Sequence, residues 1–126
     1  MKEVLAIIRM EMITKTKKAL LKEGFAALNC RKVSGRGKKK VDFTLLEGML
    51  KGIEIASPVV AEAMSEGHRL IPKRLLSIVI ADNEVKKVVD TIIEVNSNGK
   101  PGDGKIFVMP VSDVVKVRTG ETEVEI

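Results

Sequence analysis

The chain has 126 residues, of which 44% are hydrophobic, and it has a formal net charge of +5 at neutral pH. This length and composition suit one domain with a hydrophobic core, and no stretch approaches the roughly 18 apolar residues that a membrane-spanning helix needs. A single cysteine, Cys30, excludes an internal disulfide, and the sequence opens directly into an apolar run without a recognisable signal peptide. We therefore expect a cytoplasmic protein with no stable membrane association.

The first elements predicted in chain order are a strand, a helix and a second strand. Residues 4–8 form a continuous apolar run, which is typical of a buried strand. Residues 11–23 place apolar side chains at helical spacing, with Thr14 as the expected N-cap and Gly24 as the glycine that ends the helix. Residues 26–33 predict the second strand.

The same order recurs in the second half of the chain. Residues 75–81 predict a buried strand that is rich in β-branched side chains. Residues 84–95 predict a helix with an apolar face, capped by Asp82 or Asn83. Residues 105–109 predict the fourth strand, and a short apolar segment and an acidic tail follow it.

A strand, a helix and a strand, repeated twice, predict an α+β fold of the ferredoxin-like split βαβ type. This fold has a four-stranded antiparallel sheet with two helices on one face, and we interpret residues 1–126 as a single domain of this kind. About 35 residues separate the two halves, which is too long for an ordinary connection. Within this segment, residues 45–53 and 59–64 have apolar side chains at helical spacing. We expect them to become ordered against a partner protein or a neighbouring subunit.

The positive charge is concentrated in residues 36–40, and its context favours a small anion over a nucleic acid. Proteins that bind single strands usually stack bases on aromatic side chains, but this chain has no Trp, no Tyr and three Phe. A ferredoxin-like RNA-binding module is therefore a weaker alternative, and no nucleic-acid partner is expected. No catalytic residues are predicted either, because no nucleophile–base pair is recognisable and the only histidine, His68, lies in the long segment.

The loop before the fourth strand has the composition of a backbone that binds phosphate. Gly99, Gly102 and Gly104 allow the main chain to approach a ligand closely and to present its N–H groups. Lys105 follows the last glycine and supplies a point charge.

These segments together resemble the PII (GlnB/GlnK-like) signal-transduction family. The sequence N-G-K-P-G-D-G-K-I-F-V at 98–108 resembles the B-loop and fourth strand of that family. The sequence V-R-T-G-E at 117–121 resembles the start of its C-terminal loop. The two ends of its T-loop are resembled by G-R-G-K at 35–38 and by P-K at 72–73. With these boundaries the T-loop covers about residues 37–73 and the C-terminal loop about residues 112–126. Because its T-loop is long, the chain most resembles the PII-like nitrogenase regulators of methanogenic archaea.

The resemblance implies a trimer that binds ATP or ADP between adjacent subunits and has no catalytic activity. By position, the implied contacts to the nucleotide phosphates are Gly35, Gly37, Lys38, Gly102, Asp103, Gly104, Lys105, Lys116 and Arg118. The implied contacts to the adenine are Ile7, Asn29 and Val79. The resemblance also implies that 2-oxoglutarate binds near Lys39 and Lys73, with Mg²⁺ beside ATP.

Lys39 departs from the family pattern, in which a Gln at this position helps to hold Mg²⁺ beside ATP and 2-oxoglutarate. An ammonium group is an unfavourable neighbour for a cation that requires oxygen ligands. We therefore expect this subunit alone to bind 2-oxoglutarate poorly. The oligomer is either a homotrimer or a mixed oligomer with a PII-like paralogue, and in a mixed oligomer the paralogue would sense this effector. The implied target is dinitrogenase, and the alternative within the family is a GlnK-type regulator of an ammonium transporter.

Overall fold

The computed structural model describes residues 1–36 and 70–123. In chain order the elements are β1 (Lys2–Arg9), α1 (Ile13–Lys22), β2 (Asn29–Gly35), β3 (Ile71–Ile80), α2 (Val85–Asn96), β4 (Lys105–Pro110), β5 (Val114–Val115) and β6 (Thr122–Glu123). The chain divides into two compact units, Met1–Val33 with Lys73–Ile126, and Ser34–Pro72. Among the helices described, none is both long enough and apolar enough to cross a membrane. The predicted helical segments of the long loop, and His68, lie outside the described residues.

The four long strands form one sheet in the order β2-β3-β1-β4. β1 lies in the interior of the sheet and pairs antiparallel with both β3 and β4, so that Ile7 lies opposite Leu75 on one side and Lys105 on the other. The short strands β5 and β6 form a separate antiparallel hairpin. This topology confirms the predicted ferredoxin-like split βαβ fold.

The hydrophobic core lies between the sheet and the two helices. Alternate residues of β1 point to the same face because side chains in a strand have a period of two, and on this face Val4, Ala6 and Ile8 are fully buried. The remaining buried apolar side chains come from α1, β3, α2 and the connection between α1 and β2, and they are Leu20, Phe25, Leu76, Ile78, Ile80, Val88 and Ile92.

The opposite face of the sheet, which we call the open face, has apolar side chains that remain partly exposed in the described chain. They alternate with the core-facing positions of β1, β3 and β4, and they are Leu5, Ile7, Leu75, Val79, Phe107 and Met109. Phe107 retains 46% of its accessible surface and Met109 39%.

Gly24 ends α1 as predicted. Its φ angle is +95°, in the left-handed region that favours glycine. The N–H of Gly24 donates to the Leu21 carbonyl at 3.0 Å, and the N–H of Phe25 donates to the Leu20 carbonyl at 2.8 Å. These two hydrogen bonds form a Schellman motif, and Leu20 and Phe25 both belong to the core.

The predicted N-caps are wrong for both helices. α1 begins at Ile13, so Thr14 lies inside its first turn, and no side chain caps this end. Single-turn 3₁₀ helices, Met10–Met12 and Asp82–Glu84, precede α1 and α2 and supply backbone carbonyls that accept the first helical N–H groups. Asp82 and Asn83 are therefore not at the cap position of α2, and the Asp82 carboxylate instead pairs with the Met1 ammonium at 2.9 Å.

Candidate functional site

The connection between α2 and β4, residues 97–104, is a tight loop that we call the glycine loop. Its three glycines, Gly99, Gly102 and Gly104, have positive φ angles of 76°, 98° and 119°. A Cβ atom on Gly104 would collide with the backbone carbonyl oxygen of Ile7 in β1. The last turn of the loop therefore lies so close to the sheet that only glycine fits there.

The Asp103 carboxylate organises the glycine loop from within. One of its oxygens, Oδ2, accepts the backbone N–H groups of Asn98 at 2.9 Å and Gly99 at 3.1 Å. The other oxygen, Oδ1, accepts Arg9 Nη1 at 2.8 Å. The Asn98 N–H, with further contributions from Arg9 and Gly99, lowers the pKa of Asp103 below its ordinary value, although partial desolvation opposes the effect. Asp103 therefore remains an anion that holds the two ends of the loop together.

Two cations from neighbouring strands contact the loop at its middle. Arg9 Nη2 donates to the Pro101 carbonyl at 3.1 Å, and Lys73 Nζ donates to the Gly102 carbonyl at 3.1 Å. Arg9 and Lys73 are directly opposite each other in the β1–β3 pairing. Sequence reasoning predicted a ligand-binding role for Lys73 but overlooked Arg9. The available signal was a cationic residue two positions after Ile7, on the same face of the strand.

Three cationic side chains thus belong to the same end of the open face. Arg9 and Lys73 are cross-strand partners, and Lys105 of β4 is the partner of Ile7, which shares the face of Arg9. Asp103 offsets one of these charges through its ion pair with Arg9. The remaining positive charge beside a glycine-rich backbone suits a small anion with more than one negative charge, such as a phosphate chain.

The predicted adenine contacts do not come together within one subunit. Ile7 and Val79 both lie on the open face, but Ile7 is opposite Leu75, four residues away from Val79 along β3. At about 3.3 Å per residue this separation is about 13 Å, more than one purine base spans. Asn29 is exposed at the first position of β2.

The remaining predicted contacts lie on other elements or outside the described residues. Lys116 and Arg118 belong to the exposed turn of the β5–β6 hairpin, where the Lys116 N–H donates to the Glu121 carbonyl at 2.9 Å. Gly35 is the last residue of β2. Gly37, Lys38 and Lys39 are not among the described residues.

Comparison of the sequence with known protein families identifies the family of this chain. Residues 1–121 match the family described as nitrogen regulatory protein P-II. The chain belongs to the PII family. Members of this family are regulatory signal-transduction proteins, so the chain is a nitrogen regulator and not an enzyme, as the sequence predicted.

Relatives in methanogenic archaea match nearly the whole chain. The nitrogen fixation nifHD region GlnB-like protein 2 of Methanothermococcus thermolithotrophicus is 46% identical over 124 residues, which are 97% of this chain and 94% of the relative. The protein of the same description in Methanothermobacter marburgensis is 41% identical over 126 residues, which are 99% of this chain and 98% of the relative. These matches confirm the predicted resemblance to the PII-like proteins of methanogens.

A solved structure supports the fold. The crystal structure of Arabidopsis thaliana PII bound to citrate has a TM-score of 0.68 and 32% sequence identity, and the match covers 98% of this chain and 85% of that chain.

Proposed function

We propose that this PII protein senses ATP and ADP and regulates a target protein of nitrogen metabolism by direct contact. The observation that carries the proposal is the glycine loop, which Asp103 and Arg9 hold in one shape next to the cation Lys105. A backbone rich in glycine approaches phosphates closely, and an ammonium group at its end compensates their charge. Nothing in this arrangement needs a catalytic group, which agrees with a regulatory role.

A nucleotide site shared between subunits of a trimer explains two further features. Ile7 and Val79 are too far apart to contact one base in a single subunit, but residues from adjacent subunits can line one pocket. The apolar open face, with Phe107 46% exposed, is also more hydrophobic than a face that remains in water. Assembly with other copies, or with a PII-like paralogue in a mixed oligomer, would bury it.

The described residues also bear on the binding of Mg²⁺ and 2-oxoglutarate. Residues 1–36 and 70–123 contain no group of three or more His, Cys, Asp or Glu side chains that could hold a metal. Mg²⁺ bound with ATP takes oxygen ligands, which the nucleotide phosphates can supply. Lys73, the described residue expected to bind 2-oxoglutarate, donates instead to the Gly102 carbonyl. The effector would have to displace this hydrogen bond, which supports weak binding by this subunit alone.

The proposed target is dinitrogenase, and the support comes from the relatives that are described as nitrogen fixation nifHD region proteins. The long loop, with its apolar residues at helical spacing, is the proposed contact surface. Regulation of an ammonium transporter is the alternative within the family. An RNA-binding module is less well supported, because it would stack bases on aromatic side chains of the sheet and Phe107 is the single aromatic among the open-face residues named above.

Calorimetric titration of the oligomer with ATP and with ADP tests the nucleotide proposal. We expect one nucleotide to bind for each subunit, and Lys105→Ala to weaken binding by about 1.5–3 kcal/mol, as for loss of a charge-assisted contact. Lys86→Ala is the matched control, because it removes the same charge from the exposed surface of α2, where Lys86 pairs with Asp90 at 2.6 Å. Absence of binding by the unaltered oligomer, or equal losses in both variants, would contradict the proposal.

A loop-replacement variant tests the target separately. A short Gly/Ser linker in place of residues 44–66 should leave assembly and nucleotide binding intact and abolish inhibition of dinitrogenase. Retained inhibition by this variant would show that the long loop is not the contact surface. If the unaltered protein has no effect on dinitrogenase but binds an ammonium transporter, the alternative target is correct.

A further inference from the structure

We propose that Arg9 is a positioning residue for nucleotide binding: it holds the glycine loop in its binding shape and does not itself contact the nucleotide. The inference rests on the proposed function, because it concerns the same site. Family membership and the sequence motifs do not assign this role, since Arg9 lies outside the motifs and on a different element from the loop.

The Arg9 guanidinium bridges two points of the loop. Nη1 donates to Asp103 Oδ1 at 2.8 Å, and Nη2 donates to the Pro101 carbonyl at 3.1 Å. Between these points lies Gly102, where an added Cβ would be 3.4 Å from Arg9 Nη2. The guanidinium therefore packs against the turn at Gly102 and fixes the residues on both sides. Its planar fork has the geometry for two such acceptors, which a single ammonium group lacks.

Asp103 extends the effect of Arg9 to the beginning of the loop. The carboxylate oxygen that does not contact Arg9 accepts the N–H groups of Asn98 and Gly99. Arg9 and Asp103 are 94 positions apart in sequence, and their side chains are only 20% and 24% exposed. An ion pair this sheltered is screened less by solvent than one on the surface. One cation on β1 is thereby connected to both ends of the phosphate-binding backbone.

The same ion pair removes an electrostatic obstacle. An uncompensated Asp103 carboxylate beside a phosphate site would repel the ligand that the loop is proposed to bind. Arg9 neutralises this charge and leaves Lys73 and Lys105 to act on the ligand. Lys73 cannot replace Arg9, because its contact is to the neutral carbonyl of Gly102 and does not reach the carboxylate in this structure. Arg9 therefore contributes both shape and charge compensation.

The test is a double-mutant cycle on the full-length oligomer, with Arg9→Met, Asp103→Asn and the double variant. Two measurements are made: the affinity for ADP by calorimetry, and the hydrogen-exchange rates of the Asn98 and Gly99 amides without nucleotide. We expect each single variant to bind ADP about 10- to 100-fold more weakly and to exchange these amides faster. Because the two residues share the Arg9–Asp103 ion pair, the loss of affinity in the double variant should be smaller than the product of the two single losses.

Two further variants control for misfolding of Arg9→Met and for the loss of one positive charge. Arg9→Lys keeps the positive charge but reaches only one of the two acceptors, so its affinity for ADP should lie between those of the wild type and Arg9→Met. If Arg9→Met fails to fold, the loss of affinity in Arg9→Lys still tests the inference. Lys86→Met removes one positive charge from α2 and should change neither measurement.

Three results would overturn the inference. If the losses of affinity multiply in the double variant, Arg9 and Asp103 act independently and the ion pair does not couple Arg9 to the loop. If Arg9→Met binds ADP normally, or loses affinity while the Asn98 and Gly99 amides exchange at the wild-type rate, Arg9 does not position the loop. Failure of the unaltered oligomer to bind either nucleotide would instead remove the proposed function, and with it the need for a positioning residue.

Discussion

Gly104 is the residue at which the sheet and the glycine loop come closest, and this makes its substitution costly. Gly104→Ala places a Cβ against the Ile7 carbonyl at a φ angle of +119°, so it combines a backbone clash with an unfavourable conformation. We expect a loss of about 2–4 kcal/mol in the free energy of unfolding, measured by urea denaturation at fixed protein concentration. Gly99→Ala, where φ is +76° but the added Cβ meets no atom within 4 Å, should lose only about 1 kcal/mol. Equal losses would show that the clash is relieved by local movement.

Acidification should release the glycine loop. The pKa of Asp103 is lowered in the folded state, chiefly by the Asn98 N–H, so its hydrogen bonds stabilise the fold at pH values above the ordinary Asp pKa of about 3.9. This stabilisation is lost as the pH falls through the lowered pKa. The amide chemical shifts of Asn98 and Gly99 should report the transition in an acid titration, and Asp103→Asn should abolish it. A transition at or above the ordinary pKa would contradict the assigned contacts.

At the scale of single residues, the sequence predicted the positions that need glycine but not the contacts that hold them. Gly102 and Gly104 could be recognised because few other residues adopt their conformations. Arg9 could not, because its partner Asp103 lies 94 positions away and only the pairing of β1 with β4 brings them together.

At the scale of elements, α1 and α2 are joined by a buried polar contact. Asn96 Nδ2 donates to Thr16 Oγ1 at 3.0 Å, and Thr16 Oγ1 donates to the Met12 carbonyl at 2.7 Å. Thr16→Val should cost about 1–3 kcal/mol of unfolding free energy, because it leaves a buried amide donor without this acceptor. In Thr16→Val/Asn96→Leu the losses should be less than additive, since both polar partners are removed together. Urea denaturation of the wild type, Thr16→Val, Asn96→Leu and the double variant at one concentration measures the difference, and strict additivity would refute the coupling.

The elements themselves were largely predictable, whereas their ends were not. Apolar periodicity gave both helices and all four long strands in the right order, because burial on one face requires it. The second strand was predicted at residues 26–33 but runs from Asn29 to Gly35, since Phe25 and Leu28 pack on the core from the connection that precedes it. The helix starts were missed because backbone carbonyls of 3₁₀ turns replace the side-chain caps that sequence rules look for.

At the scale of the whole molecule, the open face is the proposed interface between subunits. Phe107→Asp places a charge among the apolar side chains of this face and should dissociate the proposed trimer, because a buried unpaired charge is strongly unfavourable. Leu21→Asp is the control, since Leu21 is 61% exposed on α1, away from the open face. Light scattering coupled to size-exclusion chromatography measures the mass of each oligomer. A Phe107→Asp protein with the wild-type mass would show that the open face is not the subunit interface.

The interior position of β1 affects how the protein folds during its synthesis on the ribosome. Both strands that flank β1, β3 and β4, come from the second half of the chain, and its last pairing partner is Pro110. β1 is synthesised before both of its neighbours, so it leaves the exit tunnel without a pairing partner and gains its second neighbour only when β4 has emerged. Pairing across so large a separation in sequence is slow, and the waiting strand is apolar. Nascent chains stalled before residue 105 should consequently be protease-sensitive and bind chaperones, whereas completed and released chains should not.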